Sequence, residues 1–178
     1  MSKSLTRVTT ALAAAGVTVT VHEMPAATRT AAEAAAAAGV TVTVHEMPAA
    51  TRTAAEAASA AGVALDQIVK SILLQGTSGG LYLFLTAGGN QVDLDRATAL
   101  AGEALHRADA AAVRQITGFA IGGVSPLGHL TPLPIWMDPK LLEFPTVWAA
   151  AGTPHHIFAI DPATLLTLTR ATTARFTV

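Results

Sequence analysis

The chain has 178 residues, 51% of them hydrophobic and only 13% charged, with a net charge of −1. That length suffices for one domain with a real core, whereas the near-neutral charge excludes broad, sequence-independent binding to long nucleic acid, which needs many Lys and Arg. The absence of cysteine excludes disulfides, thiolate catalysis and thiolate metal sites. No apolar run is long enough to span a bilayer, so a soluble, cytoplasmic protein is expected.

Leu5–Ala15 reads as a helix anchored by Leu5, Val8 and Leu12, and Val17–Glu23 as a strand in Val/Thr alternation. Residues 13–35 then recur without a change as residues 36–58. The repeat supplies a second helix, Thr30–Ala38, and a second strand, Val40–Glu46. Two identical copies do not make a solenoid, which needs about three or more; they read as a tandem duplication. Either helix–strand pair could fill one slot in a sheet, leaving the other surplus. The second copy is favoured because it runs on continuously into the rest of the chain. Residues 1–35 are accordingly set apart as an N-terminal helix–strand segment, and residues 36–178 as the main domain.

Thr53–Ala61 reads as a helix closed by Gly62. The apolar strand Ile68–Leu74 follows, then a hairpin turn at Gly76–Gly80 and the returning strand Leu81–Thr86. After the turn Gly88-Gly89-Asn90, Asp93 or Asp95 caps a helix to about Leu100, and Asp109 caps another through Ile116. The stretch from Thr117 reads as a short apolar strand entering a loop of Gly122, Gly123, Pro126 and Gly128. Strands at Pro134–Met137, Thr146–Ala150 and Ile157–Ile160 come next, with a helical turn at Lys140–Glu143. Asp161-Pro162 opens the final helix. Hairpin spacing dominates, so the expected class is mixed α+β: a mixed, largely antiparallel sheet with flanking helices.

The glycine loop lets backbone N–H groups approach a ligand closely, and such a loop can hold an oxyanion, a carbonyl or a carboxylate. Lys70 lies inside an apolar strand, which costs free energy unless its amine reaches water or an anion. It is either a solvent-facing strand lysine or a cation lining a cleft. Gly123-Val-Ser-Pro-Leu127 nearly matches a hydrolase nucleophile elbow. Leu127 replaces the final glycine, however, and Pro126 has no N–H to offer an oxyanion, so Ser125 is rejected as a nucleophile. Neighbours His155 and His156 would point to opposite sides of an extended segment, so they do not suit a shared metal, although one could face a cleft. No metal or other cofactor is expected. Arg107 and Arg114 read as solvated surface cations.

Taken together, Thr51-Arg-Thr-Ala-Ala-Glu-Ala-Ala58, Gln67-Ile-Val-Lys-Ser-Ile-Leu73, Thr117-Gly-Phe-Ala-Ile-Gly-Gly-Val-Ser-Pro-Leu-Gly128 and Ile135-Trp-Met-Asp138 resemble the YbaK-type aminoacyl-tRNA deacylases. These are free-standing relatives of the editing domain of prolyl-tRNA synthetase. The resemblance covers roughly residues 36–170 and implies that family's curved sheet. It also implies hydrolysis of the ester between a wrong amino acid and a tRNA 3′ end, above all Ala- or Cys-tRNA(Pro). By the same resemblance, Lys70 contacts the terminal nucleotide, and the Gly122–Pro126 loop, with Gly123, Val124 and Ser125, presents backbone donors to the aminoacyl group. Asp138 and His155 join the substrate-binding set. The implied partners are the tRNA acceptor end and prolyl-tRNA synthetase, with the protein a monomer or homodimer. The alternative is a binding module of the same fold that captures an aminoacyl end or a small ligand without hydrolysis.

Overall fold

The structure, a computed structural model, describes residues 3–22, 40–47 and 53–178. The expected helix Thr30–Ala38 and the boundary between residues 35 and 36 lie outside the described residues. Among the described residues, five helices flank one mixed sheet: α1 (Lys3–Ala14), α2 (Ala54–Ala61), α3 (Leu94–Ala101), α4 (Ala110–Thr117) and α5 (Pro162–Thr169). The strands are β1 (Val17–His22), β2 (Val40–Glu46), β3 (Ile68–Gly76), β4 (Leu81–Ala87), β5 (Leu105–Arg107), β6 (Ile135–Met137), β7 (Val147–Thr153), β8 (His156–Ile160) and β9 (Thr172–Thr173). They run in the order β1-β2-β8-β7-β3-β4-β6-β9, with β5 on the free edge of β3. The longest ladder, β3 with β4, is antiparallel, as is β7 with β8. β3 with β7 and β4 with β6 are parallel.

The helices start where short polar side chains can accept from free first-turn N–H groups. Thr53 and Glu56 form a reciprocal capping box on α2, and Gly62 closes that helix in the left-handed region. Asp93, Asp109 and Asp161 cap α3, α4 and α5, with Pro162 at the first position of the last. The strand expected from Thr117 is not formed. Thr117 is the last residue of α4, Gly118 turns the chain, and Phe119 and Val124 sink into the core. The Thr117 hydroxyl accepts from the Phe119 N–H at 3.1 Å, so this backbone is satisfied locally rather than by a neighbouring strand.

The buried faces of α1 (Leu5, Val8, Leu12) join Val44, Val69, Leu85, Phe119, Val124 and Phe158 in the main core. β1 and β2 are parallel and pair each residue with its own duplicate, Val17 with Val40 through His22 with His45. The second copy's strand, β2, occupies the place beside β8, and the first copy's strand is an added edge. Deleting residues 36–58 joins α1 directly to a single strand of the same sequence, which can take the β2 place. The single-copy chain is expected to melt within about 5 °C of the full chain, because loop closure costs change slowly with loop length. Circular dichroism melting checks this; a drop beyond about 10 °C would instead make the edge strand integral to the fold.

Candidate functional site

β3 is paired with β4 along its length, but its other edge changes partner. β7 pairs with it at Ile68 and Val69, and β5 from Leu74 to Gly76. Between them the sheet forks, and a cleft of about 700 Å3 opens over the fork. Strand alternation sends Val69 and Leu73 into the main core, and Ile72 and Leu74 into a second cluster with Phe84 and Phe176 on the opposite face. The cleft therefore wraps around a strand edge and draws its lining from both faces. Lys70, Gly122, Val124, Arg107, Trp148 and His156 line it. Lys70 and Arg107 are its cations, and no carboxylate side chain lines it among the described residues.

Lys70 is positioned by the turn after β4. Its Nζ donates to the Asn90 carbonyl. The Asn90 side chain donates to Asp138 Oδ2 at 2.8 Å, and Asp66 Oδ1 accepts from the Gly89 N–H at 2.8 Å. Asp138 also accepts from the Ala87 and Lys140 N–H groups, which fixes both β4 and the helical turn Pro139–Glu143. Burial lowers the Lys70 pKa from the ordinary 10.5, and the Asp66 and Asp138 charges partly oppose that shift. An ammonium has three donors, so one bond to Asn90 leaves donors for a phosphate or a carbonyl in the cleft.

The glycine loop contributes to the same lining. Gly122 has φ +88° and is exposed at the cleft, whereas Gly123 is buried, with its N–H committed to the Ala120 carbonyl at 3.0 Å. Gly123 thus serves close packing against Thr153, and the donors this loop can turn to the cleft are the N–H groups of Gly122 and Val124. Ser125 is fully buried, its Oγ accepts from the Leu127 N–H at 3.2 Å, and its carbonyl accepts from His129 Nε2 at 2.8 Å. Burial holds the His129 pKa below the usual 6.5; the bond to the Ser125 carbonyl opposes that shift and the Arg7 charge adds to it. Pro126 is buried behind the loop.

Helix α1 braces this arrangement. Arg7 Nη2 donates to the Gly118 carbonyl at 2.5 Å, and its guanidinium lies 4.7 Å from the Phe119 ring centroid. Gly152, at φ +94°, lies so close to the Ser4 carbonyl that a Cβ there would sit 2.7 Å from the oxygen. The N-terminal helix thereby holds both the glycine loop and the end of β7.

Of the residues singled out from the sequence, Lys70, Gly122 and Val124 line the cleft; Gly123, Ser125, Pro126, Asp138 and His155 are not among its lining residues. Asp138 is buried beneath the Lys70–Asn90 turn. His155 is exposed, and it is His156 that lines the cleft, its Nδ1 2.6 Å from Thr153 Oγ1. The reason is the irregularity in the β7–β8 ladder between Ala150 and Thr153, which resets which side chain faces inward. Arg107, read from sequence as a surface cation, reaches the cleft because β5 pairs with β3, a strand too short to read from periodicity.

A family profile for the aminoacyl-tRNA editing domain matches residues 48–168. A solved structure whose proposed role is trans-editing for prolyl-tRNA synthetase is 45% identical, covers 98% of this chain and 96% of its own, and superposes with a TM-score of 0.80. The structure of the hypothetical protein APE2540 is 29% identical over 78% of this chain and 93% of its own, with a TM-score of 0.73. The uncharacterised YwhH protein of Bacillus subtilis (strain 168) is 29% identical over 102 residues, 57% of this chain; the match spans 65% of YwhH. With the profile covering most of the chain and the editing fold matched end to end, this chain belongs to the aminoacyl-tRNA editing domain family.

Proposed function

We propose that the chain is a trans-editing deacylase that hydrolyses the ester of mischarged aminoacyl-tRNA, above all Ala- or Cys-tRNA(Pro), with prolyl-tRNA synthetase as the enzyme whose errors it corrects. The observation that carries this reading is the fork in the sheet, whose one cleft is lined both by Lys70, a cation held by the turn after β4, and by Gly122 and Val124 of the glycine loop. Its volume lies within the range of small-molecule sites and suits a terminal aminoacyl-nucleoside. Lys70 would hold the terminal nucleotide, and Gly122 and Val124 would polarise the ester carbonyl. An aminoacyl ester is already activated, so positioning and carbonyl polarisation carry the reaction, with the ribose hydroxyl orienting the attacking water. Ser125 is not needed as a nucleophile, and its Oγ is buried away from the cleft lining. Two cations and a net charge of −1 suit one acceptor end rather than a long duplex.

The purified chain is expected to release amino acid from alanyl- or cysteinyl-tRNA(Pro) faster than from correctly charged prolyl-tRNA(Pro). A deacylation panel over several mischarged tRNAs reads this directly. Binding without turnover across the panel would favour the non-catalytic module instead.

A further inference from the structure

The place beside β8 is specified by few residues. β2 fills it by pairing Val44 with Phe158, His45 with Ile157 and Glu46 with His156, and the Met47 N–H donates to the His155 carbonyl at 2.6 Å. Val44 and Met47 are buried there, and the His45 ring lies 4.9 Å from that of Trp148. Each of these β2 side chains has an identical counterpart in the first copy: Val21, His22, Glu23 and Met24.

The correspondence runs on through α2. Residues 17–40 match residues 40–63 at every position but one, where Ala36 stands for Ser59. Ser59 is exposed, and alanine is the better helix former, so this change does not weaken a helix. The capping box of Thr53 and Glu56 and the closing Gly62 recur as Thr30, Glu33 and Gly39. The buried Ala57 and Ala58 recur as Ala34 and Ala35. Side-chain chemistry therefore does not distinguish the copies, and chain connection alone does.

That connection permits a change of copy. β1 runs parallel to β2, with Val17 against Val40 and His22 against His45. Each β1 residue is thus one strand spacing, about 4.8 Å, from the position of its own duplicate. Ala15 and Gly16 join α1 to Val17, and two residues span up to roughly 7 Å. α1 can keep Leu5, Val8 and Leu12 in the core while β1 moves across by one strand. The surplus copy then falls between the place of α2 and the short helical turn Leu65–Gln67, rather than ahead of β2.

We propose that the two copies exchange: β1 displaces β2 from beside β8 and, with the sequence that follows it, rebuilds the β2–α2 unit, so that the chain has two interchangeable frames. The frame in this structure keeps β1 as an added edge and is the major one. The exchanged frame gives up that edge pairing and is a minor state of about 0.1–10%. The cleft keeps its chemistry in both, because Thr53, Ala54 and Ala57, which line it, are replaced by Thr30, Ala31 and Ala34. Damage to one copy is thereby covered by the other. The exchange is independent of the deacylase reading.

Circular dichroism melting of full-length Val44→Asp, Val21→Asp and the double variant tests it. Val44 has no exposed surface, so an unpaired carboxylate in its place is strongly destabilising. With exchange, Val44→Asp shifts the chain into the other frame and lowers the melting temperature by no more than about 15 °C, as a frame 10- to 1000-fold less populated implies. Val21→Asp alone changes little. The double variant loses far more than the sum of the two, because neither copy then fits. Val44→Asp falling as far as the double variant, or losses that simply add, overturns the proposal. A second readout locates β1 directly, since the chain has no cysteine of its own. His22→Cys and Ile157→Cys are placed together in the Val44→Asp chain. In the frame of this structure these positions are two strand spacings apart, about 10 Å, beyond the Cα separation of about 4.4–6.8 Å that a disulfide bridges. In the exchanged frame they are opposed, as His45 and Ile157 are in this one. Mild oxidation is expected to close a disulfide within one chain, read by non-reducing electrophoresis and mass spectrometry. No such disulfide, or one only between chains, overturns the exchange.

Discussion

Lys70→Ala is expected to lower kcat/KM for deacylation by about 10- to 150-fold. A charge-assisted hydrogen bond contributes about 1.5–3 kcal/mol, and each 1.36 kcal/mol is a factor of ten in rate. The fold should be little affected. Among the described residues Lys70 makes one hydrogen bond, to the Asn90 carbonyl, and burial already disfavours its charge. Removing a partly desolvated cation therefore costs the folded state little, and the melting temperature should move by only a few degrees. Lys70→Arg should not restore activity, because a planar guanidinium cannot occupy the compact site beside the Asn90 carbonyl in the same way. The pH dependence has a defined sign. The Lys70 pKa is depressed from 10.5, so the protonated amine is lost at a lower pH than for an ordinary lysine. Activity should fall on the alkaline side, along a limb that begins below 10.5 and is absent in Lys70→Ala. Steady-state kinetics on a mischarged minihelix measure all of this, and a Lys70→Ala enzyme with undiminished deacylation would remove the lysine from the mechanism.

Lys70 could be read from sequence because a charge within Ile-Val-Lys-Ser-Ile-Leu is a local anomaly. The helix starts were readable for a similar reason: Thr53, Asp93, Asp109 and Asp161 act on N–H groups within three residues. What was not legible depends on pairings between distant segments. β5 and β9 are three and two residues long and exist because β3 and β6 offer them an edge. Asn90 and Asp138 meet across 48 positions of sequence to set the lysine. The Thr117–Ile121 stretch is apolar enough for a strand, yet no ladder is available to it, and Phe119 is buried by a helix cap and by Arg7 instead. The choice between His155 and His156 turned on a ladder irregularity that alternation alone cannot place.

Gly123→Ala is expected to be the most damaging conservative change in the loop. A Cβ at this position would lie 2.7 Å from Thr153 Cα, 2.8 Å from its carbonyl carbon and 3.0 Å from its nitrogen. All three are backbone atoms at the end of β7, so no side-chain rotation relieves the contact. The loop and the strand end must separate by roughly 0.5–1 Å, and a shift near 1 Å in a positioned group can cost on the order of 100-fold in rate. Overpacking of this kind costs about 1–3 kcal/mol, which lowers the melting temperature by roughly 2–12 °C in a chain of this size. The separation moves Gly122 and Val124 while leaving Lys70 in place on β3, so kcat should fall more than KM rises. Gly122→Ala is the informative contrast. Its added Cβ has only Pro154 nearby, at 4.0 Å, but the residue holds φ +88°, so it carries backbone strain of about 1–2 kcal/mol without a wedge between loop and strand. If close packing of Gly123 against Thr153 sets the donor positions, Gly123→Ala loses more kcat than Gly122→Ala when both are assayed well below their melting temperatures. Equal losses would make left-handed backbone at Gly122, rather than the loop–strand contact, the feature that holds the site in register.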